Sequence, residues 1–345
     1  MGDLVTPMAI RVAATLRLAD HMAAGATGID DLAHRTSAHP DALGRLLGHL
    51  TTVGLVARTG PGEYSLTEFG RALQDDHPSG NRSWLDLEGV VGRADLVFVR
   101  LLDTVRTGRA AYPAMFGRGF WEDLDADPAL SASFDALMGH HPPVSDVLVG
   151  YRWGEVSHVL DVGGGNGTLL GALLLAHPHL RATLVERAGP AEAARSVLAK
   201  AGVLDRCTVV AGSFFDPLPE GADVYILSRV LEDWDDEHAV AILHRCAAAA
   251  APSGTVLLVE EGALGEGDEG GKPINTEMDL RMLVYCGGRE RALPELRALA
   301  TAAGLHVAST RRGRQSSLVE LVAGAPAVTR DGPPGGSPSP SARPG

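Results

Sequence analysis

Apolar residues recur at helical spacing through the first fifty positions of the chain and then give way to short runs that close on turns. Over 7–22, Ile10, Ala13, Ala14, Leu18 and Met22 share one helical face, and 29–35 and 40–50 repeat the period. Residues 54–58 and 63–66 flank Gly60-Pro61-Gly62 as strand, turn and strand, with a further helix starting at 67–70. That order predicts a helical unit ending in a β-hairpin, a winged-helix pattern. Residues 80–150 read as a second helical stretch that carries nearly half of the aromatics. From 156 onward strands (158–162, 181–186, 206–210, 222–227, 255–260) alternate with helices (166–176, 190–202, 236–250), which predicts a doubly wound, mainly parallel α/β sheet. Helices near 276–286 and 292–303 lead to strands 305–311 and 316–322, separated by a short turn at Gly313, so the sheet should end in an antiparallel pair.

Composition narrows the picture. With 345 residues and 45% apolar content the chain can bury two cores. Its longest apolar stretches fall far short of the roughly 20 residues of a membrane span, and no basic, apolar leader opens it, so no membrane role and a cytoplasmic location are expected. Cys207, Cys246 and Cys286 are odd in number and lack metal spacing, which suits reduced thiols and no metal. A net charge of −13 opposes nucleic-acid binding, and the helix that would enter a major groove, 40–50, offers only Arg45 and His49 as basic groups. A helical unit that pairs with a twin subunit is the better expectation.

The most informative chemistry lies at Val159-Leu160-Asp161-Val162-Gly163-Gly164-Gly165-Asn166-Gly167-Thr168, followed by Leu184-Val185-Glu186. A strand, a glycine turn and a helix bring bare backbone N–H groups to a ligand. Glu186, closing the next apolar run, can accept from two ribose hydroxyls. The pattern fits a nucleoside cofactor. Thr168 stands where a dinucleotide fingerprint has its third glycine and Asp161 closes the first strand, which favours S-adenosylmethionine over NAD; glycines that merely close a turn are the remaining alternative.

Four markers in order then carry a resemblance: Leu160-Asp161-Val162-Gly163-Gly164-Gly165, Gly212-Ser213-Phe214-Phe215-Asp216-Pro217-Leu218-Pro219, Leu231-Glu232-Asp233-Trp234-Asp235-Asp236, and Met278-Asp279-Leu280-Arg281-Met282-Leu283. Over about 4–322 the chain resembles class I S-adenosylmethionine-dependent small-molecule O-methyltransferases, and 6–17 looks like the bacterial branch acting on anthracycline and naphthoate hydroxyls. The resemblance implies a Rossmann-like methyltransferase domain at 154–323, a winged-helix-like dimerisation domain at 1–80, a helical connector at 81–153 that helps form the substrate pocket, and a homodimer. The tail 324–345, rich in Pro, Gly and Ser, and the Gly/Glu segment 262–272 read as mobile.

By that resemblance Gly163, Gly164 and Gly165 pass the methionine part of the cofactor and Glu186 holds the ribose. Ser213 and Phe214 flank the adenine, Ser228 and Arg229 stand near the sulfonium, and Trp234 completes the cofactor set with Asp161. An aromatic or polyketide-type hydroxyl compound lies between the connector's aromatics and helix 278–290, which points to Trp121, Met138, Met282 and Tyr285. Arg11 binds a substrate carboxylate if a partner subunit completes the pocket, and is otherwise a solvated helix charge.

The departure from the resemblance is Glu232, where relatives carry the histidine that deprotonates the hydroxyl. An ordinary Glu titrates near about 4.3 against about 6.5 for His, so it is the weaker base. Three readings stay open. Glu232 is a substitute base for an acidic phenol; or it is a spectator beside an already ionised oxygen, with alignment supplying the rate; or the site performs other chemistry such as hydroxylation, decarboxylation or ring closure. His141, next to His140 before Pro142-Pro143, is the alternative proton acceptor. A winged-helix regulator that binds DNA is the reading from another class.

Overall fold

A computed structural model describes residues 3–138, 146–250, 252–261, 275–314 and 316–324. The first unit contains helices Val5–Thr15, Leu18–Ala23, Ile29–Thr36 and Pro40–Thr52, then strands β1 (Val56–Gly60) and β2 (Glu63–Leu66), paired antiparallel. Its core gathers Leu32, Leu47, Leu50 and Tyr64, each at most 1% exposed. The single helix expected over 7–22 is broken. Arg17 takes a left-handed backbone (φ +52°) and pairs with Asp20 and Asp75, and the bend lets Ala13 and Met22 reach the same core. One left-handed residue leaves the apolar period intact, so the pattern gave no sign of it. The helix expected from Thr67 shrinks to a single 3-10 turn, Gly70–Leu73, because Thr67 instead caps the chain: its hydroxyl donates to the Gly54 carbonyl and accepts the Gly70 N–H.

The large sheet runs β5-β4-β3-β6-β7-β9-β8, with β3 His158–Val162, β4 Arg181–Glu186, β5 Cys207–Ala211, β6 Val224–Ser228, β7 Thr255–Glu261, β8 Leu305–Arg312 and β9 Ser316–Ala323. Pairings among β3 to β7 are parallel, and β9 lies antiparallel to both β7 and β8. Strand order reverses at β3, the point where open α/β sheets bind ligands beyond their carboxyl ends. Each face buries its own apolar layer, one around Leu160, Tyr225 and Val256, the other around Val159, Leu184 and Ile226. No helix of the described residues is long and apolar enough to cross a membrane.

A fourth core joins regions far apart in sequence. Val91, Ala94, Tyr112, Phe120 and Leu137 of the helical connector pack with Val284 and Tyr285 of the helix Thr276–Tyr285. Tyr285 stacks on Phe120 at 5.7 Å between ring centroids, tilted by 18°. Helix Thr276–Tyr285 is therefore bound to the connector, where it forms a wall facing the strand ends.

Candidate active site

The carboxyl ends of β3 to β7 open into a cavity of about 970 Å³ whose other wall is the connector and the helix Thr276–Tyr285. That is near the upper end of small-molecule pockets, enough for a cofactor and a second ligand. Asp161, Gly163, Gly164, Gly165, Glu186, Ser213, Phe214, Ser228, Arg229, Glu232 and Trp234 all line it, as do Trp121, Met138, Met282 and Tyr285. Arg11 does not: among the described contacts it meets the lining residues Arg281 and Tyr285 only through Asp95. His141 lies outside the described residues.

The glycine turn is enforced from two sides. Gly163 and Gly165 have φ of +72° and +55°, and a Cβ on Gly164 would sit 2.5 Å from Asp161 Oδ2. Gly163 passes under Phe214, whose ring would be 3.3 Å from an added methyl. The expected helix start at Asn166 shifts to Thr168, because Gly167 is left-handed (φ +75°) while the Asn166 side chain receives the Thr168 N–H. The Gly165 N–H donates to Glu186 Oε2 at 3.0 Å and the Arg187 N–H to Oε1 at 2.8 Å. Arg187 Nε also stands 3.5 Å from Oε1, and the carboxylate keeps acceptor capacity for a ligand.

Asp161 is 1% exposed and its Oδ2 has no hydrogen-bond partner. Burial, reinforced by the charge of Glu186, pushes its carboxyl up to about 7. An unpartnered acid beneath a turn of N–H groups suits a ligand that brings positive charge. Ser213 Oγ accepts the Phe215 N–H at 3.1 Å, closing a local turn that presents Phe214 edge-on to Trp234, with centroids 5.8 Å apart. An adenosyl group fits these elements: an acid with spare acceptors, a glycine cradle without Cβ atoms, and an aromatic face.

Just past the carboxyl end of β6, Arg229 has a left-handed backbone (φ +57°), uncommon for a residue with a Cβ. Its Nε lies 3.4 Å from Glu232 Oε1. Glu232, 5% exposed, sits in the turn Leu231–Asp233 among further acids. Burial, then the charges of Glu232 and Glu290, hold the Glu260 carboxyl well above the usual range. Burial and then Glu232 do the same to Asp233. Arg291, nearly buried, spends its guanidinium on the Leu231 and Trp234 carbonyls and Asp236, which anchors the turn. Among the described contacts, Arg229 supplies cationic compensation to Glu232, while the neighbouring acids oppose its charge.

Arg11 is not a solvated helix charge; its side chain is 13% exposed. It pairs with Asp95 of its own chain, which also receives Arg281 Nε at 3.1 Å and the Tyr285 hydroxyl. Arg11 Nη1 is buried without a partner. Arg281 and Tyr285 carry this network to the cavity face. Of the connector's large side chains, Trp84, Phe120, Trp121, Phe134 and Met138 line the cavity, Tyr112 is fully buried, and Met115 is 40% exposed.

The sequence reading missed Asp95, Asp135, Glu260 and Glu290. Glu260 was detectable: it follows the apolar run Val256-Leu257-Leu258-Val259 as Asp161 and Glu186 follow theirs. Asp95 has no local signal, since its partners lie 84, 186 and 190 positions away.

Strand order, glycine turn and acid-lined crevice define a class I methyltransferase fold. Family models make the assignment specific: residues 98–306 match the O-methyltransferase domain and residues 1–76 the O-methyltransferase dimerisation domain. The chain belongs to the S-adenosylmethionine-dependent O-methyltransferase family. It is 53% identical over 325 residues to 2,7-dihydroxy-5-methyl-1-naphthoate 7-O-methyltransferase of Streptomyces carzinostaticus, covering 94% of this chain and 96% of that one. It is 51% identical over 322 residues to aclacinomycin 10-hydroxylase of Streptomyces purpurascens, covering 92% and 86%. A crystal structure of an O-methyltransferase from neocarzinostatin biosynthesis, in complex with S-adenosylmethionine and 2-hydroxy-5-methyl naphthoic acid, superposes with a TM-score of 0.87 at 53% identity, covering 93% of this chain and 97% of that one. The expected fold, family and cofactor are thereby shown.

Proposed function

We propose that this enzyme methylates a hydroxyl of an aromatic hydroxy acid of the naphthoate or polyketide type, in secondary metabolism. The observation that carries the reading is the Arg11–Asp95–Arg281 network: two guanidinium groups share one buried carboxylate behind the pocket wall, and Arg11 Nη1 has no partner. The network brings that positive charge to the cavity through Arg281, where a carboxylate on the substrate ring would meet it. Phe120, Trp121, Phe134 and Met138 supply the flat apolar surface for the ring.

Bound S-adenosylmethionine supplies an electrophilic methyl carbon on a sulfonium. The chain's own work is to bind, align and keep water out. In this reading Asp161, Gly163, Gly164, Gly165, Ser213, Phe214 and Trp234 seat the cofactor, Glu186 takes the ribose, and Ser228 and Arg229 border the reacting end. Glu232 accepts the proton of the hydroxyl or leaves an ionised oxygen in place. The parts divide as 1–80, 81–153, 154–323 and a tail, 324–345, and the protein works as a cytoplasmic homodimer. Exposed Leu4, Val5, Val99, Leu102 and Val105, each at least 60% accessible, support pairing of two copies.

A second reading is supported by the relative whose name is a hydroxylase and by the Arg229–Glu232 pair, which stabilises a charged carboxylate where a free base would serve deprotonation. Here the cofactor's charge is used without methyl transfer. Incubation with a methyl-labelled donor and a panel of phenols, hydroxynaphthoates and anthracyclines separates the readings by product mass. Gain of one methyl on a carboxylated aromatic supports the first; any other mass change supports the second.

A further inference from the structure

We propose that Arg187 couples the donor half of the crevice to the acceptor half: a donor bound at Glu186 commits the Arg187 guanidinium to the helix Phe120–Ala126 and fixes Trp121 in the acceptor wall. The inference rests on the proposed seats of the ribose and the aromatic ring and adds a link between them. Arg187 follows Glu186 directly at the end of β4, and two of its groups engage that carboxylate. Its N–H donates to Oε1 at 2.8 Å, and its Nε stands 3.5 Å from the same oxygen. From there the side chain reaches the connector. Its Nη1 pairs with Asp125 and donates to the Trp121 carbonyl at 3.3 Å, and its guanidinium carbon lies 5.0 Å from the centre of the Trp121 ring. Trp121, Asp125, Glu186 and Arg187 all line the cavity.

Trp121 and Asp125 stand one turn apart on one face of their helix, while Phe120 and Leu124 are buried in the aromatic core of the connector. Arg187 thus grips that face at two points. The Trp121 ring meets Phe120 and Phe134 edge-on, at 5.0 and 5.6 Å between centroids, and its buried indole nitrogen has no hydrogen-bond partner among the described residues. With no polar anchor of its own, the ring depends for its placement on the guanidinium above it and the bond to its carbonyl. Donor binding shifts the balance at Arg187 in two ways. Ribose hydroxyls that donate to Glu186 take up acceptor capacity on the carboxylate that Nε approaches only loosely, and the guanidinium turns to Asp125 and Trp121. Donor atoms beside the Arg187 side chain, 25% exposed, displace water and strengthen its pair with Asp125. Both changes order the helix when the donor is in place. By reciprocity, an acceptor ring packed on Trp121 strengthens donor binding.

The test is hydrogen exchange of the full-length protein, read on peptides covering 119–127 and 160–172, with and without saturating S-adenosylhomocysteine, in the unaltered chain, Arg187→Gln and Asp125→Asn. In the unaltered chain we expect the ligand to slow exchange in both segments, by about five-fold or more over 119–127. In each variant the slowing over 160–172 remains, showing the site filled, while that over 119–127 shrinks to less than about two-fold. An arginine that merely stabilises the fold would speed exchange in the variants with and without ligand and leave the ligand's effect in place. No slowing over 119–127 in the unaltered chain, or the same slowing in the variants, overturns the proposal. Should circular dichroism show Arg187→Gln unfolded, Asp125→Asn decides alone. Absence of slowing over 160–172 in the unaltered chain would overturn the donor assignment as well, and neither result depends on the identity of the acceptor.

Discussion

Arg229 and Glu232 are joined across one turn, Nε to Oε1 at 3.4 Å, with the arginine held in a left-handed backbone that its Cβ disfavours. The pairing sets a guanidinium beside the carboxylate at the position to which the family resemblance assigns the proton acceptor. Glu232→Gln keeps the shape and removes the charge. If the carboxylate accepts the proton, kcat falls by roughly 10²-fold or more with little change in KM. Labelled methyl transfer followed from pH 6 to 9 checks it; undiminished rates throughout would leave Glu232 a spectator.

Asp161 should make the cofactor-free protein less stable as pH rises. Its folded carboxyl is pushed up to about 7 by burial and Glu186, against about 3.9 for an unfolded aspartate. Between those values the folded state holds a proton that the unfolded state has lost, so stability declines from about pH 4 to about pH 7 and then levels. Asp135, pushed up to about 6, contributes in the same direction over a narrower window. Urea unfolding at pH 5, 6 and 7.5 should show a flatter profile for Asp161→Asn than for the unaltered chain.

Gly164→Ala should be far more damaging than Gly212→Ala. The first would place a methyl 2.5 Å from Asp161 Oδ2, whereas an added Cβ on Gly212 meets nothing within 4 Å. Overpacking of this kind costs about 1–3 kcal/mol. Melting temperature and S-adenosylhomocysteine affinity should both drop for Gly164→Ala and stay nearly constant for Gly212→Ala.

Asp95→Asn removes the charge that Arg11 and Arg281 share. Breaking a buried pair by deleting one partner costs roughly 3–5 kcal/mol; here Arg11 loses its carboxylate while Arg281 keeps Glu277. Arg11→Gln is milder for folding and should raise KM for a hydroxynaphthoate while leaving a ring without a carboxylate unaffected. Denaturant midpoints and substrate titrations measure the two effects; equal KM changes for both substrates would remove Arg11 from carboxylate recognition.

Leu102→Asp, at a 60% exposed position, should leave the fold intact and yield a monomer. Light scattering coupled to size exclusion reads the mass, and a dimer that persists would direct attention to a different face.

What the sequence disclosed follows from what is local. The parallel strands were legible because each is a short apolar run between turn residues, and the glycine turn because its geometry admits few side chains. Boundaries moved where single residues decide them, as at Gly167, and the break at Arg17 left no trace in the apolar period. Among candidate site residues, those closing strands were visible together. Arg11 was legible as a charge on a helix, but its partners Asp95 and Arg281 come from distant segments, and only tertiary packing brings the three together. The acids around Glu232 share that origin: Glu260 ends a strand while Glu290 follows the helix Thr276–Tyr285, and their mutual repulsion exists only in the folded chain.

The separate aromatic core that binds the helix Thr276–Tyr285 to the connector has an evolutionary implication. Because Phe120, Leu137 and Val284 pack with one another and the donor crevice is built on strand ends, exchanges within this core can reshape acceptor recognition without disturbing the donor. Such a division lets one scaffold adopt new acceptors by small steps, each tolerable alone.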